Sequence, residues 1–223
     1  MGEYLIMASL SGKNPSDTYI GLIKSLDSGT INTASTTNQL SDGSGNALPL
    51  WLASDVVEIK SFTATAPGTG FDGATVTSYV KKVNGEIEST FLIDIGGGSI
   101  ISSAHANDVI GEDGEANAYF TRITTAVNGI VYRGEMSCIE VPTTGDADIN
   151  LCANSDGTIA EDADGSTQHT LVNGGTWTLG LKSDIAIASG SHVNDYLYLT
   201  HGGTTAGGYD AGKFIIKLYG ANF

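Results

Sequence analysis

The sequence predicts an all-β protein, a β-sandwich or jelly roll that carries an extended N-terminal arm. Its 223 residues include 30 glycines and 9 tyrosines, and only 16% of them are charged. Turn signals recur every 8 to 15 residues from about residue 54 onward, and no apolar repeat of helical period persists for three turns. Short alternating stretches between frequent turns are typical of β-sandwiches and jelly rolls.

The predicted domain organisation is a polar arm, residues 1–53, followed by a β domain, residues 54–223. Residues 30–50, "TINTASTTNQLSDGSGNALPL", hold only four large aliphatic side chains. Such a stretch buries too little apolar surface to offset its own conformational entropy. We therefore expect the arm to gain its order from a neighbouring surface, most simply by adding a strand to it.

Three turns predict hairpins within the β domain. Asn84 and Gly85 accept the positive φ angles of a two-residue type I′ turn, and the strand after them alternates cleanly. Its core side holds Ile87, Ser89, Phe91, Ile93 and Ile95, and its other side holds Glu88, Thr90, Leu92 and Asp94. A second turn is expected at Asn128 and Gly129, and a third within "PTTGDAD", residues 142–148.

The two cysteines are predicted to face each other across the third hairpin. If its strands pair symmetrically about Gly145, then Cys138 lies opposite Cys152. The core face would then hold Ile139, Val141, Ile149 and Leu151. A disulfide between directly paired strands is geometrically awkward, and a cytosolic protein is reduced at synthesis. The sequence therefore predicts a cross-strand pair of free thiols.

The charge balance excludes two classes of partner. The chain has 10 basic residues against 25 acidic ones, a formal net charge of −15. A surface this acidic repels phosphate backbones and anionic lipid head groups, so we expect neither nucleic acid nor a membrane surface as partner. No apolar run reaches the 18 residues of a membrane span, and the short apolar stretch near the N-terminus follows Glu3 and not Lys or Arg, unlike a secretory signal.

The sequence contains no recognised catalytic motif. Hydrolytic chemistry needs a nucleophile beside a base, or two carboxylates facing a cleft. The four histidines, at positions 105, 169, 192 and 201, are scattered, and none lies in a triad motif. We therefore expect no enzyme activity and no cofactor.

Two loops begin a ligand-binding motif and do not complete it. The acidic stretch 154–166, "NSDGTIAEDADGS", starts a calcium-loop pattern at Asp162, but the twelfth position is Asn173 and not Glu. The glycine-rich stretch 94–100, "DIGGGSI", lacks the Lys and Ser or Thr of a phosphate-binding loop. A solvated acidic loop and a flexible turn are the simpler interpretations, and we expect no metal site.

Four segments resemble virion structural proteins of tailed phages, especially marine ones, including head decoration proteins. The arm segment is "QLSDGSGNALPLWLASDVVEI", residues 39–59, which contains a "DGxGNxxPLxLS"-like core. The segments of the β domain are "FLIDIGGGSIISSAHANDVIG" at 91–111, "MSCIEVPTTGDADINL" at 136–151 and "GKFIIKLYGANF" at 212–223. The resemblance covers much of the chain through short, low-complexity motifs.

This resemblance implies a non-enzymatic capsid decoration, or cement, protein located in the virion and assembled in the host cytoplasm. Its partners would be the major capsid protein or other virion proteins, and copies of the chain would form a homo-oligomer, a trimer. On this interpretation the arm clamps the head lattice, and its few apolar side chains are the anchors pressed into the partner. These anchors are Leu40, Leu48, Leu50 and Trp51.

Two alternatives remain open on the sequence. A tail fibre or baseplate-associated protein would use the β domain to bind a receptor or glycan, and it should display exposed aromatic residues. The candidates for stacking on sugars are Trp177, Tyr196, Tyr198, Tyr209 and Tyr219, although such residues are more often part of a core or interface. A bacterial surface or secreted carbohydrate-binding module should also carry a signal peptide.

Overall fold

The computed structural model describes residues 24–25, 38–41, 47–52, 57–59, 64–164, 169–187 and 192–222. The chain divides into two compact units, Met1–Ser61 and Phe62–Phe223. The boundary therefore lies after residue 61 and not after residue 53, because residues 57–59 pair with a strand of the first unit.

The N-terminal unit contains a four-stranded antiparallel sheet. Its strands, which hydrogen bond in chain order, are β1 (Lys24–Ser25), β2 (Asn38–Ser41), β3 (Ala47–Leu52) and β4 (Val57–Ile59). The register between β2 and β3 shifts between Gln39 and Ser41. Paired strands satisfy backbone hydrogen bonds without large apolar side chains, which suits this polar sequence.

Nearly all the regular structure described in the second unit is β-strand. Its early strands are β5 (Thr75–Val83), β6 (Glu86–Asp94), β7 (Ile100–Ser102), β8 (Gly111–Glu112) and β9 (Thr121–Arg122). Its later strands are β10 (Ile130–Thr143), β11 (Ile149–Asn154), β12 (His169–Val172), β13 (Lys182–Asp184), β14 (Tyr196–His201), β15 (Gly207–Gly208) and β16 (Ala211–Ala221). A 3-10 turn spans Thr69–Phe71 and a four-residue helix, α1, spans Thr125–Asn128. No helix in the described part of the chain combines the length and apolar character that a membrane span requires.

Two antiparallel sheets pack into a β-sandwich, so the predicted all-β fold class is confirmed. One sheet has the order β13-β10-β16-β6-β5 and the other the order β12-β11-β14-β9. Both sheets contribute to one buried cluster, with Phe91 and Phe214 from the first and Leu151 and Leu199 from the second. A small third sheet has the order β15-β7-β8. Among the described residues, the members of the main core cluster run from Ala64 to Leu218.

The first predicted hairpin is confirmed. Strands β5 and β6 pair in register from Val83 and Glu86 outward, and the turn residues Asn84 and Gly85 have φ of 51° and 84°. Both values are positive, as a type I′ turn requires. The predicted core side of β6 is buried, and its members Ile87, Ser89, Phe91, Ile93 and Ile95 are at most 2% exposed.

The other two predicted hairpins are wrong. Asn128 ends helix α1, whose first turn is capped by the Thr124 hydroxyl accepting from the Val127 amide at 3.3 Å, and β9 pairs with β14. Strand β10 pairs with β13 and β16, whereas β11 pairs with β12 and β14. The stretch after Thr143 therefore crosses from one sheet to the other, a connection common in β-sandwiches.

Candidate functional site

The cysteines do not form the predicted cross-strand pair, because β10 and β11 belong to different sheets. Cys138 lies in the core next to Phe214, and strand alternation places Ile139 on the outer side, where it is 39% exposed. Cys152 lies on the opposite side of its own sheet, with its sulfur 3.5 Å from the Thr200 hydroxyl. Both cysteines are buried free thiols.

Burial makes both thiols poor nucleophiles. It raises the pKa of Cys138, and it raises the pKa of Cys152 as well, because neither thiolate is solvated. These residues pack as small apolar side chains.

One histidine has the partner that a catalytic histidine needs. His192 is 5% exposed, and its Nδ1 lies 2.9 Å from the Asp195 carboxylate, which orients the ring. The other ring nitrogen, Nε2, is buried without a hydrogen-bond partner. Within the described ranges no serine, threonine or cysteine is hydrogen bonded to Nε2, so the pair lacks the nucleophile of a triad.

The acidic stretch 154–166 is partly built into the fold and is not simply a solvated loop. The Glu161 carboxylate is buried, accepts a hydrogen bond from the Gly114 amide at 3.3 Å, and has a pKa raised by that burial. Asp156 remains at the surface, where the Thr158 hydroxyl and amide lower its pKa.

This stretch also contributes Asp162 to the one group of potential cation ligands found among the described residues. Its ligand atoms and those of His105 and Asp108 all lie within 4.8 Å of one another. The group already has internal partners: Asp108 accepts from the Ser103 hydroxyl at 2.6 Å and lies 3.7 Å from the His105 ring. The expectation that the chain has no metal site stays a prediction.

The aromatic residues considered as a sugar platform are mainly core residues. Trp177, Tyr198 and Tyr209 are completely buried, and the Trp177 indole N–H donates to the Ile149 carbonyl at 2.7 Å. Tyr219 is partly exposed, with the Arg133 guanidinium 4.1 Å above its ring.

The four predicted arm anchors lie on two paired strands of the N-terminal unit. Leu40 is on β2 and is 7% exposed, while Leu48, Leu50 and Trp51 are on β3. Trp51 is registered opposite Gln39 on one side and Glu58 on the other. The side chains of the three β3 residues lie outside what the structure describes, so their role as anchors stays a prediction.

The outer face of the sheet β12-β11-β14-β9 is buried by the protein's own loops, and we call it the covered face. Its outward residues include Cys152, Tyr198 and Thr200. Tyr198 packs in a small cluster with Val109 and Ala118, which come from the connection between β7 and β9. That connection and residues 156–164 are joined by backbone hydrogen bonds, such as that from the Ala118 amide to the Ile159 carbonyl at 2.9 Å.

The outer face of the five-stranded sheet, here called the open face, consists of the outward residues of β5, β6, β16, β10 and β13. All eight exposed large hydrophobic residues of the described chain lie on these strands or in the segment leading into β13: Tyr79, Leu92, Ile130, Tyr132, Ile139, Val141, Leu179 and Leu181. Sequence alternation had already placed Leu92 on the side away from the core. An apolar residue at an outward strand position is the sequence signal for such an exposed side chain. Sequence alternation identified this signal at Leu92 and not at the other seven residues.

The open face also differs from the rest of the chain in charge. Its basic residues are Lys81, Arg133, Lys182, Lys213 and Lys217, and its acidic residues are Glu86, Glu88, Asp94, Glu135, Glu140 and Asp184. Five basic against six acidic residues leave a net charge of −1, and the remaining 5 basic and 19 acidic residues carry −14. The exposed apolar side chains therefore share a face on which the formal charges nearly cancel.

Comparisons with known proteins add little to this description. No protein-family model and no curated protein matches the chain. Among solved structures, it is similar to the cupin domain of Cnp3 from Schizosaccharomyces pombe, at 7% identity. The likeness covers 75% of this chain and 72% of that domain, with a TM-score of 0.24. We base no functional argument on it.

Proposed function

We propose that this protein is a non-enzymatic structural protein of a tailed-phage virion, a head decoration protein that binds the particle through its N-terminal unit. The observation that carries the proposal is that the chain forms two separate compact units, Met1–Ser61 and Phe62–Phe223. Among the described residues, the main core cluster of the sandwich runs from Ala64 to Leu218. A separate, polar N-terminal unit fits an attachment element, in keeping with the phage resemblance of residues 39–59.

The charge distribution supports the same role. A strongly acidic sandwich repels the other acidic sandwiches around it and stays soluble when many copies crowd a particle surface. Decoration also requires no chemistry from the chain, only burial of surface against capsid subunits. In this proposal Leu48, Leu50 and Trp51 supply the apolar part of that attachment, whereas Leu40 is already buried within the chain at 7% exposure.

A second candidate is the tail fibre or baseplate-associated protein with a glycan-binding β domain. Two tyrosines on the open face favour it, since Tyr79 is 51% exposed and Tyr132 is 53% exposed. Exposed aromatic rings of this kind can stack on the apolar faces of sugars.

Immunogold labelling of tailed-phage particles, from the lysate in which the chain is made, separates the two candidates. Antibody raised against residues 62–223 should place gold over the heads if the chain is a decoration protein. Gold over tails or fibres would favour the second candidate, and intact particles without gold would contradict both.

An add-back experiment then tests the attachment unit. Particles stripped of the protein should bind the full chain, whereas a chain of residues 62–223 should bind at least about tenfold more weakly. Circular dichroism and thermal unfolding of the shorter chain provide the folding control. Undiminished binding of the folded shorter chain would place the attachment surface on the sandwich.

A further inference from the structure

The open face has the layout of a protein interface, with a neutral centre and charged margins. The central row across the strands contains four uncharged residues that follow one another in the pairing register, Thr77, Leu92, Ile215 and Ser137, and it ends at Lys182 on the edge strand β13. Leu92 is 38% exposed within this row. Interfaces are typically depleted of charge at the centre and polar at the rim.

Ion pairs between residues of opposite charge lie on either side of this uncharged stretch. On one side Lys213 lies between Asp94 and Glu140, at 3.5 and 3.0 Å. On the other side the Lys217 ammonium lies 3.5 Å from Glu88, and that from Lys182 lies 3.0 Å from Glu135. A patch with this arrangement of ion pairs can meet a rotated copy of itself with each charge near one of opposite sign.

We propose that the open face binds the open face of a second copy of this chain, related to the first by a twofold axis. The charge distribution favours a second copy of this chain as the binding partner. The charges of the open face sum to −1 out of a chain total of −15, so two open faces can approach each other without strong net repulsion. Exposed hydrophobic residues on the strands of this face, such as Tyr79 and Leu92, supply the apolar surface that such a contact buries.

Pairing through the edge of the same sheet is the less favourable alternative. Strand β5 forms that edge over nine residues, but it carries Lys81 and Lys82 near its end. Lysines on an edge strand are a common device against strand-to-strand association. Two copies meeting at this edge would also leave the central row of the open face uncovered.

The size of the open face predicts a weak association. Five strands about 4.8 Å apart and the span from Thr75 to Lys81 outline an area of roughly 20 by 20 Å between Cα positions. Even with side chains included, this is less than the roughly 800 Å² per partner of a standard stable complex. We therefore expect a dissociation constant in the micromolar range, so that pairing becomes complete where copies are concentrated.

Sedimentation equilibrium of the full chain over the micromolar range tests the proposal. The wild-type chain should shift from monomer to dimer as its concentration rises. Leu92→Glu places a charge at the neutral centre and should weaken the dimer by roughly a hundredfold or more. Leu179 is 72% exposed and lies in the segment before β13, outside the central row. Leu179→Glu adds the same charge there and should change dimerisation much less.

A charge-swap mixture gives a readout that a merely structural role of these residues would not produce. One variant, Lys213→Glu with Lys217→Glu, makes the open face acidic, and the other, Glu88→Lys with Asp94→Lys, makes it basic. Neither should pair with itself, and the mixture should form a heterodimer. Thermal unfolding of each variant confirms that it is folded.

Three outcomes would overturn the proposal. The first is a wild-type chain that stays monomeric at the highest concentration, and the second is a dimer that forms equally well with Leu92→Glu. The third is a trimer as the end state, since three copies around a threefold axis require a different contact. The proposal is independent of the phage assignment, which depends on particle labelling and not on self-association.

Discussion

The two outer faces of the sandwich show opposite solutions to the same problem. Each sheet has one side in the core and one side turned away from it. The covered face is buried by the protein's own loops, so that Cys152 and Tyr198 become interior residues. The open face keeps Leu92 and Tyr79 in solvent and neutralises its charges among themselves. One outer face is thus buried by the chain itself, and the other leaves apolar side chains exposed.

The largest expected effect is on the covered face. Tyr198→Ala removes a fully buried ring and its hydrogen bond to the Asp156 carbonyl, and it should lower the free energy of unfolding by about 3 kcal/mol. Tyr79→Ala is the matched change on the open face and should alter it by about 0.5 kcal/mol or less. Urea unfolding of both variants measures the difference. Equal losses would mean that the two faces are not distinct in burial.

The next effect is on thiol reactivity. In the folded protein, Ellman's reagent should modify Cys152 at least about a hundredfold more slowly than in the urea-unfolded chain, because the covering loops must open first. A Cys138→Ala variant isolates the signal from Cys152. Rapid modification of this variant under native conditions, with its circular dichroism unchanged, would show that the cover is loose.

A smaller effect is expected from the buried carboxylate of Glu161, which lies in the segment 156–164 at the covered face. Burial raises the pKa of Glu161 above its ordinary 4.5, so folding favours its neutral form. The stability from this group is complete below that ordinary value and is lost as pH rises through the folded pKa. Glu161→Gln should therefore raise the thermal midpoint at pH 7 by about 1 to 3 °C, and make it depend less on acidification toward pH 5.

The control for this change comes from the open face. Asp184→Asn neutralises a carboxylate whose side chain is 87% exposed and should leave the slope of midpoint against pH close to that of the wild type. Scanning calorimetry at pH 7, 6 and 5 compares the three proteins. A midpoint that falls on mild acidification of the wild type would contradict the assigned sign.

The smallest effect concerns the ion pairs of the open face. Lys217→Gln breaks the contact with Glu88, where both side chains are about one-third exposed, and should change the free energy of unfolding by about 0.5 kcal/mol or less. Urea unfolding at low and high salt checks this value. A loss above 1 kcal/mol would mean that the ion pairs stabilise the monomer itself, and not chiefly its contact with another molecule.

Local sequence correctly predicted structure where two neighbouring strands are joined by a tight turn. The alternation from Ile87 to Ile95 and the turn at Asn84 and Gly85 correctly predicted a hairpin and its core side. The same two residue types at positions 128 and 129 end a helix instead. There the Asn128 side chain reaches Ser89 at 2.9 Å, a contact 39 residues distant that no local rule contains.

The candidate sites depended more on distant contacts and were less predictable. The cysteine pair failed because β11 crosses to the other sheet and because β10 buries Cys138, whereas Ile139 and Val141 face outward. The covering loops contain few large apolar residues, so their burial of Tyr198 was not visible in composition. The open face is assembled from five strands far apart in sequence, and its charge balance appears only when their register is known.

The position of β16 has a consequence for biosynthesis. This strand follows every other strand in the chain, yet it lies between β10 and β6 in the middle of the larger sheet. During translation, β6 and β10 leave the ribosome with their main-chain groups facing a gap that nothing yet fills. A nascent chain interrupted before Ala211 therefore leaves one edge of each of these two long strands unpaired, and such edges are prone to aggregation. The facing edges of β6 and β10 become paired only after β16 has been synthesised.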